Sequence, residues 1–223
     1  MDVWKESETM KNIKIRLGMY LLGLFIVSLG IAVAVKSDLG VTPITAIPYA
    51  VNRVTGWEFG LMTALFHFSM VSFQAILLRK RFPVKSLLQV PAGILFGSFV
   101  TLTNNLFAPL PTPDSMIIRL LMAVVSPGLI ALGVYFYLPS NIIPLAPDAA
   151  MAAMAETFRL PTGRAKVIFD CGNVAVALGL CLLALGTFGS VGIGTVVSAL
   201  LIGTYLGFYN RRFGHLRDKL LNP

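Results

Sequence analysis

"NIIPLAPDAAMAAMAE", residues 141–156, is apolar enough to enter a bilayer, yet it carries Asn141, Asp148 and Glu156 and is interrupted by Pro144 and Pro147. A helix needs about 20 apolar residues to cross about 30 Å of hydrocarbon. From Pro147 onward the stretch is too short for that. Whether it crosses or dips and returns sets the number of spans and the side on which every loop lies.

The surroundings leave no doubt that the medium is a membrane. Hydrophobic residues make up 56% of the 223, charged ones 13%, and the mean hydropathy is +0.80. A soluble surface needs more charge than this. Six long apolar runs stand out, at 17–35, 59–78, 87–107, 120–138, 167–188 and 191–209, with two short ones at 43–51 and 147–158. The first run exceeds a secretory h-region of about 7–15 residues and no A-x-A site follows, so it reads as a retained span. The net charge of +8 then records loop orientation and not a nucleic-acid partner. Cys171 and Cys181, ten apart in one apolar run, would sit about 15 Å apart on a helix, too far for a disulfide. They read as small buried apolar residues. No metal-ligand cluster, nucleotide loop or nucleophile-base set occurs, so no cofactor, metal or catalytic residue is expected.

The short pieces recur in matching places. Each follows a long span after a polar, proline-containing turn, "KSDLGVTP" and "PSNIIPLAP". A shift of 103 residues lays Leu29-Gly30 on Leu132-Gly133, Gly60 on Gly163, and Phe66-His67 on Phe169-Asp170. Three further residues of shift lay "GILFGSF" (93–99) beside "ALLIGTY" (199–205), with Gly97 on Gly203. Each half is long span, short piece, long span, long span.

Charge decides whether the short pieces cross. If neither does, 15 of the 18 Lys and Arg residues fall on the cytoplasmic side, leaving only Lys36, Arg53 and Arg119 outside. If both cross, "RKR" (79–81) moves outside while the tails stay inside, against the positive-inside rule. The expected fold is therefore an all-α membrane protein of six transmembrane helices. It forms two inverted three-span repeats, each with a short re-entrant half-helix after its first span. A cytoplasmic tail (1–16) precedes the first repeat (17–107), and a basic cytoplasmic tail (210–223) follows the second (116–209). Paired interrupted segments of this kind point to a transporter site near the midplane.

Polar residues within spans are costly, so the few present are informative. His67 lies about 12 Å into its span, and Asp170 is its repeat equivalent. Under inversion the two approach the midplane from opposite faces. A gating or proton-coupling pair and a static interhelical hydrogen bond are both open readings. Thr42 as N-cap with Pro43 at N1 starts the first short helix and leaves open N–H donors, a setting for an anion. Gly40, Thr42 and Thr45 are its candidate substrate-binding residues. In the second half the candidates are Asn141 and Asp148, the latter either capping its own helix or meeting a cationic group. Asp38 and Asn141 also read as span terminators. Glu156 and Arg159, three apart, suggest a local ion pair. Gln74, Asn104, Asn105 and Asn173 read as interhelical hydrogen-bonding groups, and the glycines of "GSVGIGTVVSALLIG" as close-packing points.

"SLGIAVAVKSDLGVTPI", with Leu39, Gly40 and Pro43, and "GIGTVVSALLIGTYLG", with Gly194, Thr195 and Gly203, resemble the YitT/YczE group of bacterial integral membrane proteins. The resemblance covers about 17–209. It implies the fold and a bacterial membrane location, and it carries no substrate or catalytic residue. The second turn, "NIIPLAP", lacks the glycine of the first, so the two half-sites differ.

The reading that follows is a secondary transporter of a small polar metabolite or ion, proton-coupled, in the bacterial inner membrane with both termini cytoplasmic. Its partners are the lipid bilayer and the small-molecule or ion substrate, and self-association is left open. The rival is a membrane scaffold or accessory protein that uses the same polar groups for packing.

Overall fold

The computed structural model describes residues 13–221, all-helical apart from turns. The helices are α1 (Ile13–Ser37), α2 (Pro43–Thr55), α3 (Phe59–Leu78), α4 (Gln89–Phe107), α5 (Met116–Tyr137), α6 (Ala146–Thr157), α7 (Thr162–Leu185) and α8 (Ile193–Leu221). Six of them are long and apolar enough to cross a membrane. The two that are not, α2 and α6, are the two short pieces read from the sequence. The protein is a multi-pass membrane protein.

Local chemistry sets the boundaries. α1 ends at Ser37 because Asp38 turns to φ +50°, and the 3₁₀ turn that closes α5 ends on Asn141 at φ +55°. Asp and Asn are the non-glycine residues that tolerate this left-handed region best. Thr42 caps α2, its hydroxyl accepting from the Thr45 N–H, with Pro43 behind it. Gly56, at φ +73°, stops α2 with its N–H donated to the Asn52 carbonyl at 2.8 Å.

The centre of the bundle is the antiparallel crossing of α1 and α5. A Cβ at Gly30 would sit 2.9 Å from the Ile130 nitrogen and 3.0 Å from the Ser126 carbonyl. A Cβ at Gly133 would sit 2.5 Å from the Gly23 carbonyl and 2.6 Å from the Val27 nitrogen. Ser126 adds a buried hydroxyl donated to the Gly30 carbonyl at 2.9 Å. α4 flanks α1 and α8 flanks α5, while α2 lies on α7 and α6 lies on α3.

Both ends of α6 are held at one end of α3. Its first carbonyl, of Ala146, accepts from Gln74 Nε2 at 3.1 Å, and Glu156 near its last turn pairs with Arg81 at 2.7 Å. The ends of α2 are likewise close to the end of α1: Arg53 lies 3.8 Å from Asp38, four residues before Thr42. Arg119 also reaches Asp38, at 3.0 Å, and the Ser37 carbonyl at 2.7 Å, while Lys36 reaches the Ala108 carbonyl at 3.5 Å. The three cations set apart by the charge count thus gather at one end of the bundle. Arg16 is at the other, donating to the Ser140 and Leu221 carbonyls.

Four expectations need correction. α8 does not stop near 209 but continues to Leu221, so most of the basic C-terminal stretch is helix. Of the N-terminal tail (1–16), residues 13–16 belong to α1, and 1–12 lie outside the described residues. Glu156 pairs with Arg81, 75 positions away, and not with Arg159, because Arg159 takes φ +52° beyond the end of α6. Cys181 is buried as expected, but Cys171 is exposed on the outer side of α7.

Candidate functional site

The first-half candidates form a packed strap. Gly40, at φ +100°, passes so close to the α7–α8 connection that a Cβ would lie 2.5 Å from the Gly192 nitrogen. The Val41 N–H donates to the Ser190 carbonyl at 3.1 Å, and the Gly194 N–H to the Leu39 carbonyl at 2.7 Å. Thr42 and Thr45, both buried, join their hydroxyls at 2.8 Å. The open donors expected at the start of α2 are thus partly occupied from within.

The second-half candidates lie in more polar surroundings. α6 starts at Ala146 with Leu145 as N-cap and no side-chain cap. Asp148 does not cap its helix as one reading expected, because its carboxylate accepts from the Tyr137 hydroxyl at the end of α5. Tyr137 stacks edge-on against Tyr20 of α1, centroids 6.2 Å apart, and the Tyr20 hydroxyl is buried with no partner among the described residues. Lys166 and Asp170 of α7, paired at 2.7 Å, are near enough to act on Asp148. The other Asp170 oxygen, Oδ1, is buried and unpartnered. Asn141 is exposed in its turn and is not drawn into this cluster.

Burial pushes the Asp148 carboxyl above its ordinary 3.8, with Asp170 adding to the rise and the Tyr137 hydroxyl and Lys166 opposing it. A raised native pKa means that the folded state holds this proton more tightly than the unfolded chain. Its stabilisation is complete below 3.8 and is lost as pH rises through the raised native value. Asp148→Asn should flatten that part of the profile of thermal unfolding temperature against pH in detergent. Equal slopes for the variant and the parent would overturn the assignment.

The structure does not pair His67 with Asp170. His67 Nδ1 lies 2.8 Å from the Thr63 carbonyl, an acceptor, so Nδ1 carries the proton. Nε2 is buried without a partner among the described residues. The ring packs on Phe96, centroids 5.4 Å apart, and over Gly93 in the α3–α4 interface. Gln74 does bridge helices, donating to Gln89 Oε1 at 2.8 Å as well as to Ala146, whereas Asn173 donates locally to the Phe169 carbonyl. Among the described residues no group of three or more metal-ligating side chains occurs. A pocket at the end of α8, lined by Asn210, Gly214, His215, Arg217, Asp218 and Lys219, includes none of the candidates.

Sequence reading missed Tyr20, Tyr137 and Lys166. Tyr137 had a usable signal, as the last span residue before the polar turn that leads to Asp148. Tyr20 had none, because its partner lies on a helix more than a hundred residues away.

A profile described as a family of unknown function, DUF6198, matches residues 14–211. An uncharacterized protein of Haemophilus influenzae is 24% identical over 189 residues, 85% of this chain and 80% of the relative. The uncharacterized membrane protein YczE of Bacillus subtilis is 25% identical over 201 residues, 89% of this chain and 86% of the relative. No solved structure matches the chain.

Proposed function

The chain belongs to the DUF6198 family, and on that premise we propose that it is a secondary transporter of a small polar metabolite or ion in the bacterial inner membrane. Two inverted three-span repeats form it, and α2 and α6 are re-entrant. The observation that carries this reading is the α1–α5 crossing. Gly30 meets residues 126 and 130, and Gly133 meets 23 and 27. The shift of 103 that carries Gly30 to Gly133 carries 23 and 27 to 126 and 130, with the two helices antiparallel. The helix pairings support the same symmetry: exchanging the halves turns α2 on α7 into α6 on α3, and α1 beside α4 into α5 beside α8. Short helices that return to their own side at matching places are the form in which transporters carry substrate sites.

The site proposed is the Tyr20–Tyr137–Asp148 cluster beside the Lys166–Asp170 pair, with both termini cytoplasmic. Gly40, Thr42 and Thr45 hold the opposite half-site, and His67 and Asp170 are the coupling positions. Uptake by proteoliposomes over a metabolite panel, with and without a pH gradient, tests this. Absence of uptake in every arm would favour the scaffold reading. Topology has its own test. A thiol at Arg53→Cys should be labelled from the outside and one at Arg159→Cys from the inside, and labelling from one face would overturn the inversion.

A further inference from the structure

The two halves differ most in the packing of their last two helices. α3 and α4 pack along each other, with a Cβ at Gly97 reaching within 2.5 Å of the Gly60 carbonyl and 3.1 Å of the Ala64 Cβ. Their counterparts α7 and α8 make at most glancing contact. Gly163 and Gly203, the repeat equivalents of Gly60 and Gly97, each have nothing within 4 Å, and Gly172, Gly179 and Gly207 are equally open. The α7–α8 connection is pinned to the α1–α2 turn through Ser190 and Gly194. That pins the end away from the one that the topology above makes cytoplasmic.

The chemistry at the interface differs in the same sense. In the packed pair, positions 63 and 67 are Thr63 and His67, buried to 1% and 2% exposure, and the His67 ring bonds the Thr63 backbone carbonyl at 2.8 Å. In the open pair the equivalent positions are Lys166 and Asp170, an ion pair with side chains 46% and 15% exposed. His67 lies over Gly93, and the counterpart of Gly93 is Ala199 on the exposed flank of α8. Asp170 is already largely buried, with Oδ1 enclosed, and closing α7 onto α8 as α3 is closed onto α4 would take away the water its charge still reaches. Burying that charge is costly, whereas a protonated carboxyl can be buried with one hydrogen bond. Lys166, one turn from the start of α7, can extend its ammonium back to the surface.

We propose that the Lys166–Asp170 ion pair wedges the α7–α8 cleft open, and that neutralising the Asp170 charge lets it close. This inference rests on the transporter reading and supplies its coupling step. The groups that face Asp170 from neighbouring elements are few. Asp148 of α6 is near enough for Asp170 to act on it, and its carboxylate is bonded by Tyr137. Glu156 is held by Arg81, and Arg53 of α2 is held by Asp38 at the far end. α8 offers no charged side chain between Ile193 and Tyr209.

The test is a distance. Nitroxides at Pro161→Cys and Gly207→Cys, the counterparts of the hydrogen-bonded Glu58 and Thr101, report the cytoplasmic end of the cleft in a Cys171→Ser background. The protein is held in lipid at pH 8. With Asp170 the long separation should dominate. Asp170→Asn should raise the short-separation population about tenfold or more, as expected for removing a charge from a helix interface within the membrane. Asp170→Glu, which perturbs the site but keeps the charge, should stay long. The same distribution in all three, or a shift in the Glu variant as large as in the Asn variant, would overturn the proposal. A shift with Asn but no uptake of any metabolite leaves the wedge standing and removes the transporter reading. Uptake with no shift does the reverse.

Discussion

Gly133→Leu should leave no folded protein in the membrane. The Gly133 Cβ position is within 2.6 Å of the Val27 nitrogen and closer still to the Gly23 carbonyl, so any side chain there meets backbone. Overpacking that side-chain movement can relieve costs about 1–3 kcal/mol. Here the obstacle is two helices at the centre of the bundle, and relief means parting α1 from α5. That would also expose Leu24, Val27, Ile31 and Ile130, which form one buried cluster. Without a strong hydrophobic drive between helices in lipid, close backbone approach is a main source of their association. The readout is the yield of monodisperse protein after mild extraction. A Gly133→Leu protein as abundant and as thermally stable as the parent would show that this crossing does not hold the fold.

Gly203→Leu should do the opposite, leaving the protein folded and uptake in proteoliposomes down about tenfold or more. Nothing lies within 4 Å of Gly203 in the open form, so the leucine costs the fold little. In the closed form proposed above its position corresponds to Gly97, where an added Cβ would stand 2.5 Å from the Gly60 carbonyl. A side chain there would hold α7 off α8 and stop the cycle. Normal yield with normal uptake would mean that the cleft need not close. The pair of glycine variants thus separates a contact that builds the protein from one that exists only in part of its working cycle.

Much of the fold was legible in the sequence, for identifiable reasons. Apolar runs report the solvent, so the bounds of α3 at 59–78 came out directly. Thr42-Pro43 is local cap chemistry, and Asp38 and Asn141 are local turn chemistry, each read within a few residues. The end of α8 was missed because hydropathy falls where the helix leaves the lipid, while Arg and Lys are good helix formers and keep the backbone coiled. The partners of Glu156 and Asp148 were missed because local spacing offered nearer or self-contained alternatives, and only tertiary packing brings Arg81 and Tyr137 to them. The unequal packing of the two halves could not be read at all. Matching glycines at Gly60 and Gly163 announce the same interface, and only the coordinates show that one is made and the other is not.

The antiparallel crossing of α1 and α5 has a consequence for the kind of object this is. On the inverted-repeat reading proposed above, the chain there meets itself as two half-length subunits would across a two-fold axis, Gly30 against 126 and 130 and Gly133 against 23 and 27. The largely exposed stretch 108–115, with Pro109, Pro111 and Pro113, takes no part in that interface. On that reading it is the tether that fixes stoichiometry at one of each half. Once the halves are tethered they are free to diverge, and a symmetric dimer's single sequence can become the neutral His67 on one side and the charged Asp170 on the other.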